Sequence, residues 1–144
     1  ISNSQIQGSN LGNNLFKNCS LQSSAFVKSN IEKCDFTDAD FTAATFKASN
    51  FAKNTLANAR FKNTIFTETA IDETVFSGTL EDCTFENCAF YRVKFEQTTL
   101  ENTYFKNNKN LKRITFTDCK ADRITYEFLK SGKADLTGIT LVIE

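Results

Sequence analysis

The chain contains 144 residues with a mass of 16.2 kDa, and its 17 cationic and 17 acidic side chains give a formal net charge of zero. This balance argues against a general polyanion-binding protein, which carries a clustered surplus of lysine and arginine. The absence of histidine excludes imidazole acid–base chemistry and histidine ligation of a metal. No apolar run reaches the roughly 18 residues that a membrane helix needs.

Large apolar residues recur every five positions from the beginning of the chain. Every fifth residue from Ile6 to Phe76 is Leu, Ile or Phe, and Ile1 extends the series backwards. All of the phenylalanines except Phe128 lie on this series or its continuation. A period of five fits neither an α-helix, which repeats every 3.6 residues, nor a β-strand, which alternates every two. The pattern therefore predicts a coil built from five-residue units.

A small or compact residue stands two positions before each large one. Residues two apart on extended backbone point the same way, so we expect both to face the interior, with a turn after each unit. The five cysteines, Cys19, Cys34, Cys83, Cys88 and Cys119, all occupy the small position. This placement predicts buried, unreactive thiols rather than a redox or metal site. Their odd number also favours a reducing cytoplasm over a disulfide framework.

The large positions define the predicted core. The predicted core centres are Phe36, Phe41, Phe46, Phe51, Phe61, Phe66, Phe76, Phe85, Phe90, Phe95, Phe105 and Phe116.

The five-residue register slips twice. One residue is missing at Gly78, where the absence of a Cβ allows a tight corner. An extra residue falls within Asn107 to Asn110, which we interpret as a bulged corner because asparagine tolerates left-handed backbone. We expect Lys109 to point outward there.

The repeat is lost after Ala121. Ile124, Phe128 and Leu129 follow a helical spacing, and Gly132 offers a helix stop. We predict a repeat region over 1–121 and a cap over 122–144, with a short helix near 123–131 and final repeat-like strands, all in one domain. The cap would protect an open sheet edge. The N-terminal end has no comparable cap. We interpret this end as a boundary of the expressed segment, a dimer contact or a junction with another domain.

The units Cys34-Asp35-Phe36-Thr37-Asp38 and Ala39-Asp40-Phe41-Thr42-Ala43 resemble those of the pentapeptide-repeat proteins. The likeness covers about 1–121 and returns at 134–141. It implies an all-β fold, a right-handed quadrilateral β-solenoid with four units and about twenty residues per coil. Roughly seven coils stacked about 4.8 Å apart would form a rod.

No arrangement of residues in the sequence predicts catalysis. There is no nucleotide-binding loop, nucleophile elbow or metalloprotease motif. Carboxylate pairs such as Asp72 and Glu73 lie at outward positions, where solvated surface is the simpler interpretation. We therefore predict no catalytic residue, no metal ligand and no cofactor.

The resemblance raises one specific alternative. Some pentapeptide-repeat proteins are acidic rods that imitate duplex DNA, bind DNA gyrase and give quinolone resistance. Placed on four sides, the charges of this chain mix both signs, as Asp35, Lys94 and Glu96 do on one side, and 1–31 contain no carboxylate. The zero net charge and mixed sides disfavour this function.

Our preferred interpretation is a non-catalytic scaffold or protein-interaction module with rigid polar sides. The residue types that most often anchor protein interfaces point to Tyr91, Arg92 and Tyr104 as a partner-binding surface. The expected partner is another protein of unknown identity, with an end-to-end homodimer as an alternative. We expect no direct nucleic-acid binding, no membrane contact and a cytoplasmic location.

Overall fold

The chain winds into a four-sided β-solenoid of about seven coils in a computed structural model, which describes residues 2–142. This confirms the predicted fold class. The proposed extension of the repeat to Ile1 and the end of the cap at Glu144 lie outside the described residues.

The first side is a flat parallel sheet of six short strands. Each strand pairs with the equivalent strand of the next coil, as in the pairing of Phe26 with Phe46 and of Phe46 with Phe66. Its members are β1 (Gln5–Gln7), β2 (Ala25–Val27), β4 (Thr45–Lys47), β7 (Ile65–Thr67), β10 (Thr84–Glu86) and β13 (Tyr104–Lys106).

The second side is a four-stranded parallel sheet. It consists of β3 (Asn30–Glu32), β5 (Asn50–Ala52), β8 (Ala70–Asp72) and β11 (Ala89–Tyr91). Isolated bridges extend it by one coil at each end, from Asn10 to Asn30 and from Ala89 to Lys109.

The third and fourth sides share a parallel sheet in the later coils because two long strands pass through a corner. These are β9 (Val75–Glu81) and β12 (Lys94–Glu101), which pair with each other. The remaining strands are β6 (Phe61–Lys62), β14 (Thr115–Thr117), β15 (Cys119–Ala121) and β16 (Ile139–Leu141).

The corners use left-handed backbone at almost every unit, on the second residue after each large one. Only some of these residues are glycine or asparagine; others, such as Ala48 and Glu73, hold φ at 51° and 43°. An L-residue pays about 1–2 kcal/mol for this conformation. In some early units the corner is reinforced by a side chain, as where Asp35 Oδ1 accepts hydrogen bonds from the backbone N–H and the hydroxyl of Thr37 at 3.0 and 2.6 Å. These bonds lower the pKa of Asp35.

The interior is filled by columns of large apolar side chains, one column for each side, and the column of the first side consists of phenylalanine from Phe26 to Phe105. On the first side Phe46 stacks between Phe26 and Phe66, with ring centroids 4.9 and 4.8 Å away. Rings of neighbouring columns meet edge to face, as Phe46 does with Phe51 at 5.2 Å. All twelve phenylalanines of the predicted core are buried.

The small inward residues satisfy the backbone between coils. The Ser49 hydroxyl donates to the carbonyl of Lys47 at 2.9 Å, and the backbone N–H of Ser29 donates to Ser49 Oγ at 3.1 Å. Asn54 and Asn108 use their amide groups in the same position. Hydroxyl, thiol and amide groups therefore fit this layer because each bonds to the backbone as well as filling space.

Both register slips fall at corners. Phe95 pairs with Phe76, a spacing of 19 residues, whereas Phe95 pairs with Phe116 at a spacing of 21. Gly78 adopts φ +79° and is exposed, so it turns the corner instead of contributing to the inward layer. In the longer coil Asn108 takes the small position and Lys109 is exposed, as predicted.

The C-terminal end is closed by α1 (Arg123–Ser131) and by β16. The Asp122 side chain caps the helix by accepting from the Thr125 N–H at 3.1 Å. Leu129 is fully buried, whereas Ile124, which the helical spacing grouped with it, is 43% exposed. Within residues 2–142, no helix has the length and apolar character required to cross a membrane.

The first coil is less well covered than the coils that follow it. Ile6, Leu11 and Phe16 of the first coil are only partly buried, whereas Leu21 and Phe26 of the next are completely covered. The side chain of Leu15 is 78% exposed.

Candidate protein-interaction surface

Tyr91 and Arg92 lie at the end of β11, where the second side turns into the third. The Tyr91 side chain is 44% exposed, and its neighbour Arg92 is exposed as well. Arg92 Nε and Nη2 donate to the two carboxylate oxygens of Asp72 at 3.0 and 2.7 Å, and Nη1 lies 2.9 Å from Glu73 Oε1. Arg92 is therefore engaged with the carboxylates of the preceding coil.

Tyr104 lies in β13 on the first side, in a different sheet from Tyr91. Its ring packs edge to face against Phe128 of α1 with centroids 5.1 Å apart, and its hydroxyl donates to Asn102 Oδ1 at 2.9 Å. Lys106 Nζ lies 5.2 Å from the centroid of the Tyr104 ring. Tyr104 thus joins the helix to the solenoid, and the structure does not bring it together with Tyr91 and Arg92.

Four cations near Tyr91 were not singled out from the sequence. Lys94, Lys109, Lys112 and Arg113 are exposed, and none forms an ion pair with any residue in 2–142. Lys109 to Arg113 belong to the 21-residue coil, in which Leu111–Arg113 form a short 3₁₀ turn. The sequence signal was the extra residue itself, which displaces these side chains from the regular pattern.

Two shallow grooves lie on the third and fourth sides. The first, of about 720 Å³, runs over Thr55, Val75 and Ser77 towards Glu96 and Asp118. The second, of about 810 Å³, lies where α1 meets the fourth side and includes Glu101, Lys120, Ile124 and Val142. Within residues 2–142 there is no group of three Cys, Asp or Glu side chains arranged to hold a metal ion.

The cysteine thiols are unpaired, and four of the five are buried. Burial raises the pKa of Cys83 and of Cys88 to about 11. Cys88 Sγ lies 3.2 Å from the carbonyl oxygen of Phe66, in keeping with a packing role. Cys19, near the first coil, is half-buried.

The fold, the repeat and the polar sides together define a repeat-built β-solenoid. A family model described as Pentapeptide repeats matches residues 39–78 in eight copies, and the structure continues the same five-residue unit on both sides of that range. Residues 39–78 are therefore pentapeptide repeats, and the chain resembles the pentapeptide-repeat proteins. A comparison with curated proteins finds no match to the chain.

Solved structures that are similar to this chain include the following three. QnrB1, described as a plasmid-mediated fluoroquinolone resistance protein, is 14% identical with a TM-score of 0.45, covering 96% of this chain and 92% of its own. Rfr23 from the cyanobacterium Cyanothece 51142 is 14% identical with a TM-score of 0.38, covering 79% and 88%. A pentapeptide-repeat protein of the Arabidopsis thaliana thylakoid lumen is 19% identical with a TM-score of 0.28, covering 78% and 68%.

Proposed function

We propose that this protein is a non-catalytic interaction scaffold in the cytoplasm whose rigid sides are recognised by another protein. The observation that carries the proposal is the division of the chain into a tightly packed interior and a polar exterior. The interior uses its phenylalanine, hydroxyl and thiol groups for packing and backbone bonding. The side chains that remain exposed stand at fixed spacings on the surface, and such a surface suits recognition by a protein partner.

Imitation of DNA has less support, because the charge changes sign from coil to coil. Residues 43–62 contain four cations and no carboxylate, and residues 63–81 contain four carboxylates and no cation. A mimic of duplex DNA requires continuous negative charge along its axis, as the phosphate backbone provides. We therefore do not extend the proposal to gyrase, and we expect the purified protein to leave gyrase supercoiling unchanged.

The proposal is tested by photo-crosslinking in the native host, with a benzophenone amino acid placed at one exposed position on each side. Suitable positions are Ile65, Tyr91, Val75 and Lys120, which lie on the first, second, third and fourth sides. We expect a discrete crosslinked protein from one or two sides. A uniform absence of crosslinks from all four sides would contradict the proposal.

A further inference from the structure

We propose that the exposed surface around Tyr91 binds an acidic segment of a protein partner. This surface, the basic patch, consists of Tyr91, Lys94, Lys109, Lys112 and Arg113. The inference rests on the proposed interaction function, because it names the chemistry of the partner that one corner of the scaffold recognises.

Backbone pairing brings the five residues of the patch together. The bridge between Ala89 and Lys109 and the pairing of Lys94 with Thr115 fix the 21-residue coil directly against the coil of β11. The 3₁₀ turn Leu111–Arg113 lies between those two pairings. Lys112 and Arg113 are therefore about one coil spacing, roughly 4.8 Å, from the backbone that carries Tyr91.

The charge of the patch is uncompensated. Lys94, Lys109, Lys112 and Arg113 have no acidic partner within residues 2–142. The nearest carboxylates in the preceding coil, Asp72 and Glu73, are already bound by Arg92. Arg92 thus holds both carboxylates and offsets one of their two negative charges, and the four cations of the patch remain without an ion-pair partner among the described residues.

The size and surroundings of the patch favour a short acidic protein segment over a long polyanion. The cations occupy only two coils, and residues 63–81 of the preceding coil carry four carboxylates. Glu96 and Asp118 limit the patch across the third side. A duplex lying along the rod would therefore meet repulsive charge on leaving the patch, whereas a few acidic side chains would not.

Tyr91 supplies an anchor that a purely ionic site lacks. Ala89 points to the same face of β11, and Ala70 is its partner in β8, so the surface beside the tyrosine ring is shallow. An apolar side chain of the partner can pack in this space against the ring. Tyrosine and arginine are among the residue types enriched at the energetic centres of protein interfaces, and the patch contains one of each, Tyr91 and Arg113.

The test uses two fluorescein-labelled octapeptides, one of alternating Asp and Glu and one with a phenylalanine at its centre, with binding measured by fluorescence anisotropy at low salt. The triple variant Lys109→Gln, Lys112→Gln, Arg113→Gln should bind about tenfold or more weakly. The matched control Lys17→Gln, Lys47→Gln, Lys130→Gln has the same net charge and should stay within about twofold of the parent.

The aromatic contribution is measured with the phenylalanine-containing peptide. Tyr91→Ala should weaken its binding about fivefold and Tyr91→Phe should not, because the ring rather than the hydroxyl makes the contact. The all-acidic peptide should respond less to Tyr91→Ala.

Three outcomes would overturn the proposal. Equal losses in the patch and control variants would show that only overall charge matters. Tighter binding of a 20-bp DNA duplex, or of vesicles containing anionic lipid, would assign the patch to another partner class. An unmodified protein that binds neither peptide would remove the acidic-segment assignment, while a crosslink from another side would still support the scaffold function.

Discussion

The stack of phenylalanine rings on the first side makes the replacement Phe46→Ala a stringent test of how the solenoid is stabilised. Phe46 is completely buried and meets four other rings with centroid distances of 4.8 to 5.7 Å. Removing a buried phenylalanine costs about 3–5 kcal/mol. The loss of four aromatic pairs, each worth about 0.5–1.5 kcal/mol beyond burial, places Phe46→Ala near the top of that range.

Phe16→Ala provides the matched control, since it removes the same side chain from the partly exposed first coil. Phe16 is partly exposed and stacks on one ring, Phe36, at 5.1 Å. We expect its replacement to cost about 1–2 kcal/mol. Urea unfolding of both variants, monitored by circular dichroism, measures the two free energies. Equal losses for Phe46→Ala and Phe16→Ala would refute the assignment of stability to the central ring stack.

Three further predictions concern single positions. Gly138→Ala should lower the free energy of unfolding measured in urea by about 3 kcal/mol or more, because φ is +89° and a Cβ would collide with the backbone of the adjacent coil. The control Gly12→Ala, where a Cβ would make ordinary contacts, should change it by less than about 0.5 kcal/mol. Ala48→Gly should stabilise the protein by about 0.5 kcal/mol, because the relief of strain in the left-handed native backbone exceeds the cost of the extra conformational entropy that glycine gives the unfolded chain. A lower urea midpoint would contradict this. Burial raises the pKa values of Cys83 and Cys88 to about 11, so the stability that the neutral thiols contribute is complete below pH 9 and is lost as the pH rises towards 11. When both cysteines are replaced by alanine, the free energy of unfolding should fall less steeply over this pH range. An equally steep fall in the variant and the parent would be evidence against this contribution.

The sequence was sufficient for the fold because the five-residue period is a strictly local signal. Phe36 and Phe46 could be assigned to the interior without long-range information, since each unit repeats the same inward pair. The number of sides and the coil stacking came from the family resemblance. The helix was predictable because its apolar spacing changed to that of an α-helix, although Ile124 proved exposed.

The surface was less predictable, because ion pairing depends on which residues stack between coils. Arg92 is an anchor candidate by residue type, but its stacking on Asp72 and Glu73 occupies it. Tyr104 cannot be recognised from sequence as a contact of α1, since its packing depends on where the helix lies. The basic patch was missed for the same reason, as Lys112 and Tyr91 are neighbours only through the longer coil.

The tolerance of the corners at Gly78 and at 107–110 bears on how such a rod can change over evolutionary time. A residue gained or lost inside a strand would reverse the orientation of every side chain that follows it. At a corner the same event leaves the packed columns above and below intact. A change of chain length at a vertex therefore preserves the core, and the extra residue near Asn110 is one instance, since Leu111 and Phe116 after it remain buried. Grafted loops should be accepted at these vertices, which makes the scaffold a natural support for acquired recognition.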